Sequence, residues 1–297
     1  MRLRVLSVFG LASLQDAGRP GFRRFGVPTG GAFDRESHRL ANAMLGVPPD
    51  SPVVEFALGT MEMEALADGC VAVVGACESV LVDGNDQGGN VRFCFRAGSR
   101  LTVTPPKRGL RTFIALPGGV ASPQVLESAS GAVVEAGTEI SSAAQALSLD
   151  VLRLARPPAS LSPSPLRVVA LGDDFGWMGA EYTVGRNIDR VGLRLEGPRP
   201  MVEVRSGRSE PSVFGVVQLT EDRSVIVHGP DGPTIGGYRK LGGVVRADLD
   251  RLAQLAPGDR VRFVPCTLDE ARTAMRAHEK QLGSALAEVA ESVYRAG

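Results

Sequence analysis

The sequence predicts a mainly β protein: two β-rich subdomains with a few helices. Three observations carry this. Short runs rich in Val, Ile and Phe recur along the chain, each bounded by turn residues. Glycine (36) and proline (20) are plentiful among the 297 residues, as closely spaced turns require. Only two stretches show a sustained helical period with capping signals.

The elements follow in order. The opening run RLRVLSVFG reads as a first strand. It also resembles the apolar part of a signal peptide, but no A-x-A site follows, so the strand is preferred. DRESHRLANAMLG reads as a helix: Asp34 caps it, Leu40, Ala41, Met44 and Leu45 share a face, and Gly46 with Pro48 ends it. Strands are expected at 52–58, 70–76, 79–82, 91–95, 101–104 and 111–116, and then at 166–171, 213–219, 224–228, 243–246 and 260–265. FRAGSRL, VEAGTEI and LAPGDRV read as turns in which glycine supplies a positive φ. A short helix is expected at 247–255. A longer one follows Thr267 and Glu270, which have capping-box spacing. The proline- and serine-rich RPPASLSPSP, residues 156–165, reads as a stiff linker between a first subdomain (1–155) and a second (166–297).

Charge is balanced at 33 basic and 33 acidic residues, which argues against a nucleic-acid or anionic-membrane partner. No apolar run approaches the roughly 18 residues a membrane span needs. Cys70, Cys77, Cys94 and Cys266 form no CxxC pair and lie in apolar runs. They read as small core hydrophobes without a disulfide framework, and hence as a sign of a reducing, cytoplasmic setting. His38, His228 and His278 are too scattered to suggest a metal set.

Three segments carry candidate chemistry. In HGPDGPTIGGYRKLGG, Tyr238 and Lys240 alternate among Gly236, Gly237 and further glycines. If extended, both side chains face one way, a clamp for a carbonyl or carboxylate oxygen, with Asp248 to orient the lysine or accept a proton. A plain glycine-rich hairpin with a solvated lysine is the other reading. Neither a P-loop nor a GxGxxG after a strand is present, so no nucleotide fold is expected. In QDAGRPGFRRFGVPTGGAFD, Asp16 and Arg19 suit either a structural lock or a ligand rim; Gly30-Gly31 before a helix N-terminus favours anions. In NIDRVGLRLEG, Arg190, Arg194 and Glu196 share a face if the segment is a strand. His228, lacking an evident partner, reads as structural or solvated rather than as a general base.

Together these segments resemble the biotin-dependent carboxyltransferase family, also called allophanate hydrolase subunit 2 or KipA-type. The resemblance rests on QDAGRPGFRRFGVPTGGAFD, LANAMLG, RTFIALPGG, IDRVGLRLEG, TIGGYRK and ADLDRLAQLAPGDRVRF, in preserved order along about half of the chain. It implies a cyclophilin-like β-barrel architecture. Stand-alone members include the C component of bacterial ATP-dependent 5-oxoprolinase, to which the likeness is nearest; fused members form the carboxyltransferase part of urea carboxylase; KipA antagonises a kinase inhibitor.

The resemblance implies a component of a 5-oxoprolinase-like complex that converts a lactam to an amino acid. The alternatives are a carboxyltransferase using carboxybiotin and a KipA-like regulator that binds a KipI-like partner. The partners it implies are a KipI-like B component and a LamB/YcsF-like A component. No cofactor is expected on this chain: it lacks a biotin-attachment lysine and an ATP site, so ATP would bind a partner and biotin a separate carrier. The residues carried over are Gln15, Asp16, Arg19, Asp34, Asn42, Glu55, Arg190, Arg194, Gln218, Gly236, Gly237 and Gln254 for substrate, with Tyr238, Lys240 and Asp248 as catalytic. The chain departs from the family where its GSxST reads LESASG, leaving Ser128 and Ser130, where Tyr-Pro-Lys reads Tyr238-Arg239-Lys240, where PxDGxP reads LTEDRSV, and where an asparagine is replaced by Val47.

Overall fold

The computed structural model describes residues 1–144, 149–162, 165–172, 175–202 and 208–295. Positions 163 and 164 of the expected linker lie outside them. The chain forms two compact units. Unit 1 holds Met1–Gly18, Asp34–Leu161 and the chain from Gln281 onward; unit 2 holds Arg19–Phe33 and Ser162–Lys280. A single cut in the proline–serine stretch therefore does not describe the division: the first-half loop Arg19–Phe33 packs with the second half, and the C-terminal turns pack with the first.

Unit 1 is built on a ten-stranded sheet. Its strands are β1 (Arg2–Gln15), β2 (Val53–Ala65), β3 (Gly69–Gly75), β4 (Val80–Val82), β5 (Asn85–Asp86), β6 (Val91–Phe95), β7 (Arg100–Val103), β8 (Arg111–Ala115), β9 (Glu139–Ser141) and β10 (Leu152–Arg153). They run β10-β6-β3-β8-β2-β7-β4-β5, with β1 pairing β2 and β9. Helix α1 (Arg35–Met44) starts as its sequence predicts: Asp34 accepts from the Ser37 N–H at 3.0 Å. The core is apolar, from Leu3, Val5, Val54, Met61, Val71, Phe93 and Ile114 among others, and burying each such side chain contributes about 1.5–3 kcal/mol.

One expectation is corrected here. Cys70 stands directly opposite Cys94 across β3 and β6, and the two form a disulfide. Strand register brings them together, and local spacing carries no trace of register. The disulfide removes the cysteine argument for a reducing compartment. Cys77 remains a buried thiol, its pKa pushed up to about 12 by burial.

Unit 2 is a closed barrel in the order β11-β18-β15-β16-β13-β12-β19. Its strands are β11 (Leu166–Ala170), β12 (Glu181–Ile188), β13 (Gly192–Glu196), β15 (Val216–Leu219), β16 (Val225–His228), β18 (Arg239–Val244) and β19 (Arg260–Pro265); the short β14 (Glu210–Pro211) and β17 (Ile235–Gly236) pair outside it. Closure comes from the parallel pair of β11 and β19. The fold is mainly β, as expected. Alternation explains the barrel: Leu193, Leu195, Val217, Leu219, Val225 and Val227 point inward and fill it with aliphatic side chains. Helix α2 (Leu249–Ala253) follows a 3₁₀ turn, and α3 (Leu268–Arg295) begins at the Thr267–Glu270 capping box, with Thr267 N donating to Glu270 Oε2 at 2.8 Å. The three turns singled out by sequence place Gly98, Gly137 and Gly258 at φ of 85°, 91° and 91°. No helix among the described residues is long and apolar enough to cross a membrane.

Candidate functional site on the outer wall of the barrel

Since the barrel interior is filled, the polar side chains of its strands face outward. Register aligns them. Arg194 pairs with Ile226, Ile226 with Gln218, and Gln218 with Lys240, so the four form one transverse row on β13, β16, β15 and β18. His228 lies on the same face two residues beyond Ile226.

Against this wall lies a cavity of about 590 Å³. Arg194, Gln218, Ile226 and His228 form its floor; Gly236, Gly237 and Tyr238 line it from the glycine-rich segment, Asn187 from the end of β12, and Asp189 and Glu221 from flanking turns. The ribbon of β14 and β17 is anchored beside it: Ser212 N–H donates to Thr234 O at 2.8 Å, and Lys240 Nζ donates to Glu210 Oε2 at 2.9 Å. Ser212 Oγ also meets His228 Nδ1 at 2.9 Å.

Two donors in this cavity are unopposed. Gln218 is 2% exposed, and its Nε2 has no hydrogen-bond partner among the described residues. Arg194 has no ion pair among them either. For the buried Gln218 Nε2 the lack of an acceptor costs about 1–3 kcal/mol, so a ligand oxygen is its natural complement, whereas the Arg194 side chain is exposed and hydrated. The acids of the cavity do not cancel this: Asp189 Oδ1 already accepts from Val191 and Gly192 N–H, and Glu221 stands exposed on its turn. Burial, and then the positive charges of Arg23 and Lys240, lower the pKa of His228, which keeps its imidazole neutral at pH 7.

Several expected roles are corrected. Lys240 is not a clamp beside Tyr238: its ammonium is taken by Glu210, and it lies outside the cavity lining. Asp248 neither orients Lys240 nor stands ready as a base. It is wholly buried and engages Arg167 and Arg251, accepting also from the Arg167 N–H at 2.8 Å. Arg190 is not on a strand face. It sits in the turn before β13, bonded to both oxygens of Asp231 (2.8 and 3.2 Å) and donating to Gly31 O at 2.7 Å. This ties the loop Arg19–Phe33 to the glycine-rich segment, as does Gly30 N–H to Pro230 O (3.1 Å); Phe33 also packs edge-on against Phe214. Arg19 closes that loop through its N–H on Thr29 O, and Gln254 is buried at the C-cap of α2.

The remaining candidates belong to unit 1. Asp16 accepts from the Ser128 and Ser130 hydroxyls and from the Ala129 and Gly18 N–H groups. Burial alone would raise its pKa; these hydrogen bonds outweigh burial and lower it. Asp34 receives Ser37 and Ser160 hydroxyls, Glu55 is paired with Arg111 in the interior, and Asn42 Nδ2 holds the carbonyls of Pro49 and Ser51. Gln15 Nε2 is bonded to Ser13 Oγ, while its Oε1, like Asn42 Oδ1, has no partner among the described residues. Sequence reasoning missed Ser212 and Glu221 and set His228 aside; 16 residues separate Ser212 from its histidine, and only β-pairing brings them together.

Comparison with known proteins agrees with this architecture. The family described as carboxyltransferase domain, subdomains A and B, matches residues 25–265. The C component of 5-oxoprolinase from Escherichia coli is 30% identical, over 94% of this chain and 96% of that one. The protein of the same name in Haemophilus influenzae is 29% identical over 93% and 94%. The crystal structure of Kluyveromyces lactis urea carboxylase superposes with a TM-score of 0.82 at 24% identity, over 96% of this chain but 29% of that one, and shows the same fold. The chain belongs to the carboxyltransferase-domain family, subdomains A and B.

Proposed function

We propose that this chain is the C-type component of an ATP-dependent complex that opens a small lactam or amide, with 5-oxoproline to glutamate as the reference reaction. The observation that carries this is the buried, unpartnered Nε2 of Gln218 facing a cavity that also holds an unpaired arginine. Its support is the near full-length similarity to relatives named as the C component of 5-oxoprolinase. Gln218 donates to the lactam carbonyl oxygen and Arg194 receives the carboxylate. Tyr238 offers a hydroxyl at the rim, and neutral His228 takes or returns a proton. In the overall reaction water adds to the carbonyl carbon, the C–N bond breaks, and the nitrogen leaves as an amine. ATP is held by a partner protein and none of it by this chain; the A- and B-type partners complete the enzyme in the cytoplasm.

The test is reconstitution with both partner proteins, ATP and 5-oxoproline, measuring glutamate. Release that falls at least about tenfold with Gln218→Ala supports the reading, since one lost hydrogen bond is worth about that much. Partner binding without any release would replace it by a regulatory one. The family match favours one second reading, carboxyl transfer from carboxybiotin on a separate carrier to an amide nitrogen. Transfer of labelled carboxylate to urea without ATP hydrolysis would select it.

A further inference from the structure

We infer that Gly236 is the selectivity gate of this cavity: its missing side chain leaves the gap through which a ligand oxygen reaches Gln218. The inference rests on the reading of the cavity as the ligand site, and three observations carry it. A Cβ built on Gly236 would lie 3.5 Å from Gln218 Nε2 and within 4 Å of no other atom. That Nε2 is the one that lacks an acceptor. The register of β14 and β17 sets Gly236 opposite Glu210, whose carboxylate holds Lys240, the residue paired with Gln218 on the next strand. The ribbon is thus fastened beside the amide, with its one side-chain-free position over it.

A hydrogen-bonded oxygen sits about 2.9 Å from its donor nitrogen. A methyl group at 3.5 Å from that nitrogen would occupy the approach to it. The same 3.5 Å is ordinary van der Waals contact, and Gly236 is not among the positive-φ glycines. An alanine therefore fits the folded protein while closing the donor off. Many glycine positions here cannot be tested so cleanly, because a Cβ would collide with backbone, as at Gly229, 2.2 Å from Arg190 O. The ligand class that follows is a flat, unsubstituted carbonyl edge able to slide under a backbone, such as a lactam, amide or ureido oxygen, carried by a molecule with an anionic group for Arg194.

The experiment follows the side-chain amide signal of Gln218 by ¹H–¹⁵N NMR in the isolated full chain, assigned by its loss in Gln218→Ala. The probes are 5-oxoproline, its uncharged analogue 2-pyrrolidinone, and acetate. Wild type is expected to shift that signal with both lactams, more tightly with 5-oxoproline, and not with acetate alone. Gly236→Ala is expected to keep the melting temperature and to weaken 5-oxoproline at least about tenfold, the loss of one hydrogen bond. Gly243→Ala, where a Cβ meets nothing within 4 Å and which does not line this cavity, is expected to bind as wild type. A Gly236→Ala protein that shifts like wild type overturns the gate, as does a wild-type amide that no lactam moves. A gated lactam response with no glutamate from the reconstituted complex would leave the gate standing and remove the proposed reaction.

Discussion

The interior of unit 1 and the outer wall of the barrel in unit 2 both gather conspicuous polar residues, yet they differ in how those residues are satisfied. In unit 1 the carboxylates are taken up by the protein itself: Asp16 by two serines and two backbone N–H groups, Asp34 by Ser37 and Ser160, Glu55 by Arg111. On the barrel wall the buried donor Gln218 Nε2 is left over, beside an exposed Arg194 that has no ion pair among the described residues. Carboxylates saturated by the protein hold a fold, whereas Gln218 Nε2 is a buried donor that lines a cavity and can take a ligand; Arg92 Nη2 and Trp177 Nε1 also lack partners among the described residues but do not line this cavity. The contrast also sorts within unit 2, where Asp248 is saturated by Arg167 and Arg251 and so falls on the structural side.

The largest effect expected from this contrast is on stability. Glu55 and Arg111 are each only 4% exposed at the side chain. Glu55→Ala strands a buried guanidinium and should cost about 3–5 kcal/mol, read as a fall in the urea midpoint. A loss below about 1 kcal/mol would mean that the pair is solvated, and the structural assignment of unit 1 would fail. Gln218→Ala should behave in the opposite way. It removes an unpaired donor, so stability should change by less than about 1 kcal/mol, while 5-oxoproline affinity falls about tenfold. Equal damage to folding and binding would erase the distinction between the two regions.

The outline of this comparison was legible in the sequence, and its sorting was not. Val- and Ile-rich runs bounded by turn residues, such as the one that contains VVQL, marked barrel strands, GLRLE was open as a strand, and Asp34 and Thr267 marked helix starts where they occur. Local pattern can do this because period and capping act within a few residues. Which aspartate is structural depends instead on partners far along the chain: Asp16 finds Ser128, and Asp248 finds Arg167. The same holds for the Cys70–Cys94 bond, and for Arg190, which the segment's strand-like look placed on a face it does not occupy. Spacing brought Tyr238 and Lys240 together as neighbours, but Glu210 on a different segment decides where the lysine goes.

An intermediate effect separates the regions by pH. Burial lowers the pKa of His38 in unit 1 and, with the nearby positive charges of Arg23 and Lys240, that of His228 in unit 2. A histidine depressed in the folded state contributes stability that is complete above the unfolded value near 6.5 and is lost as pH falls through the folded value. Unperturbed carboxylates titrate at about pH 4, so a decline that begins at about pH 6.5 is read first from the histidines. Melting temperature should decline from there, and His228→Asn should remove part of that decline while leaving the His38 share. A variant with the wild-type slope would show that His228 is not shielded in the barrel wall.

The smallest expected effect tests whether Lys240 belongs with the saturated groups or with the waiting ones. Its side chain is 10% exposed, while that of its partner Glu210 is 68% exposed. A pair so open on one side is worth at most about 1 kcal/mol, and as a fastening for the ribbon beside Gln218 it should act on binding alone. Lys240→Met and Glu210→Gln should then raise KM by similar factors of about 2–5 and leave kcat unchanged, since uniform binding is lost without any transition-state contact. Agreement between the two variants is the decisive feature, because a lysine that polarised a carbonyl would have no reason to share its phenotype with an exposed glutamate. If Lys240→Met instead lowers kcat by about a hundredfold while Glu210→Gln is silent, the lysine turns to the substrate during reaction. The boundary between the two classes of polar residue would then have to be drawn on the other side of it.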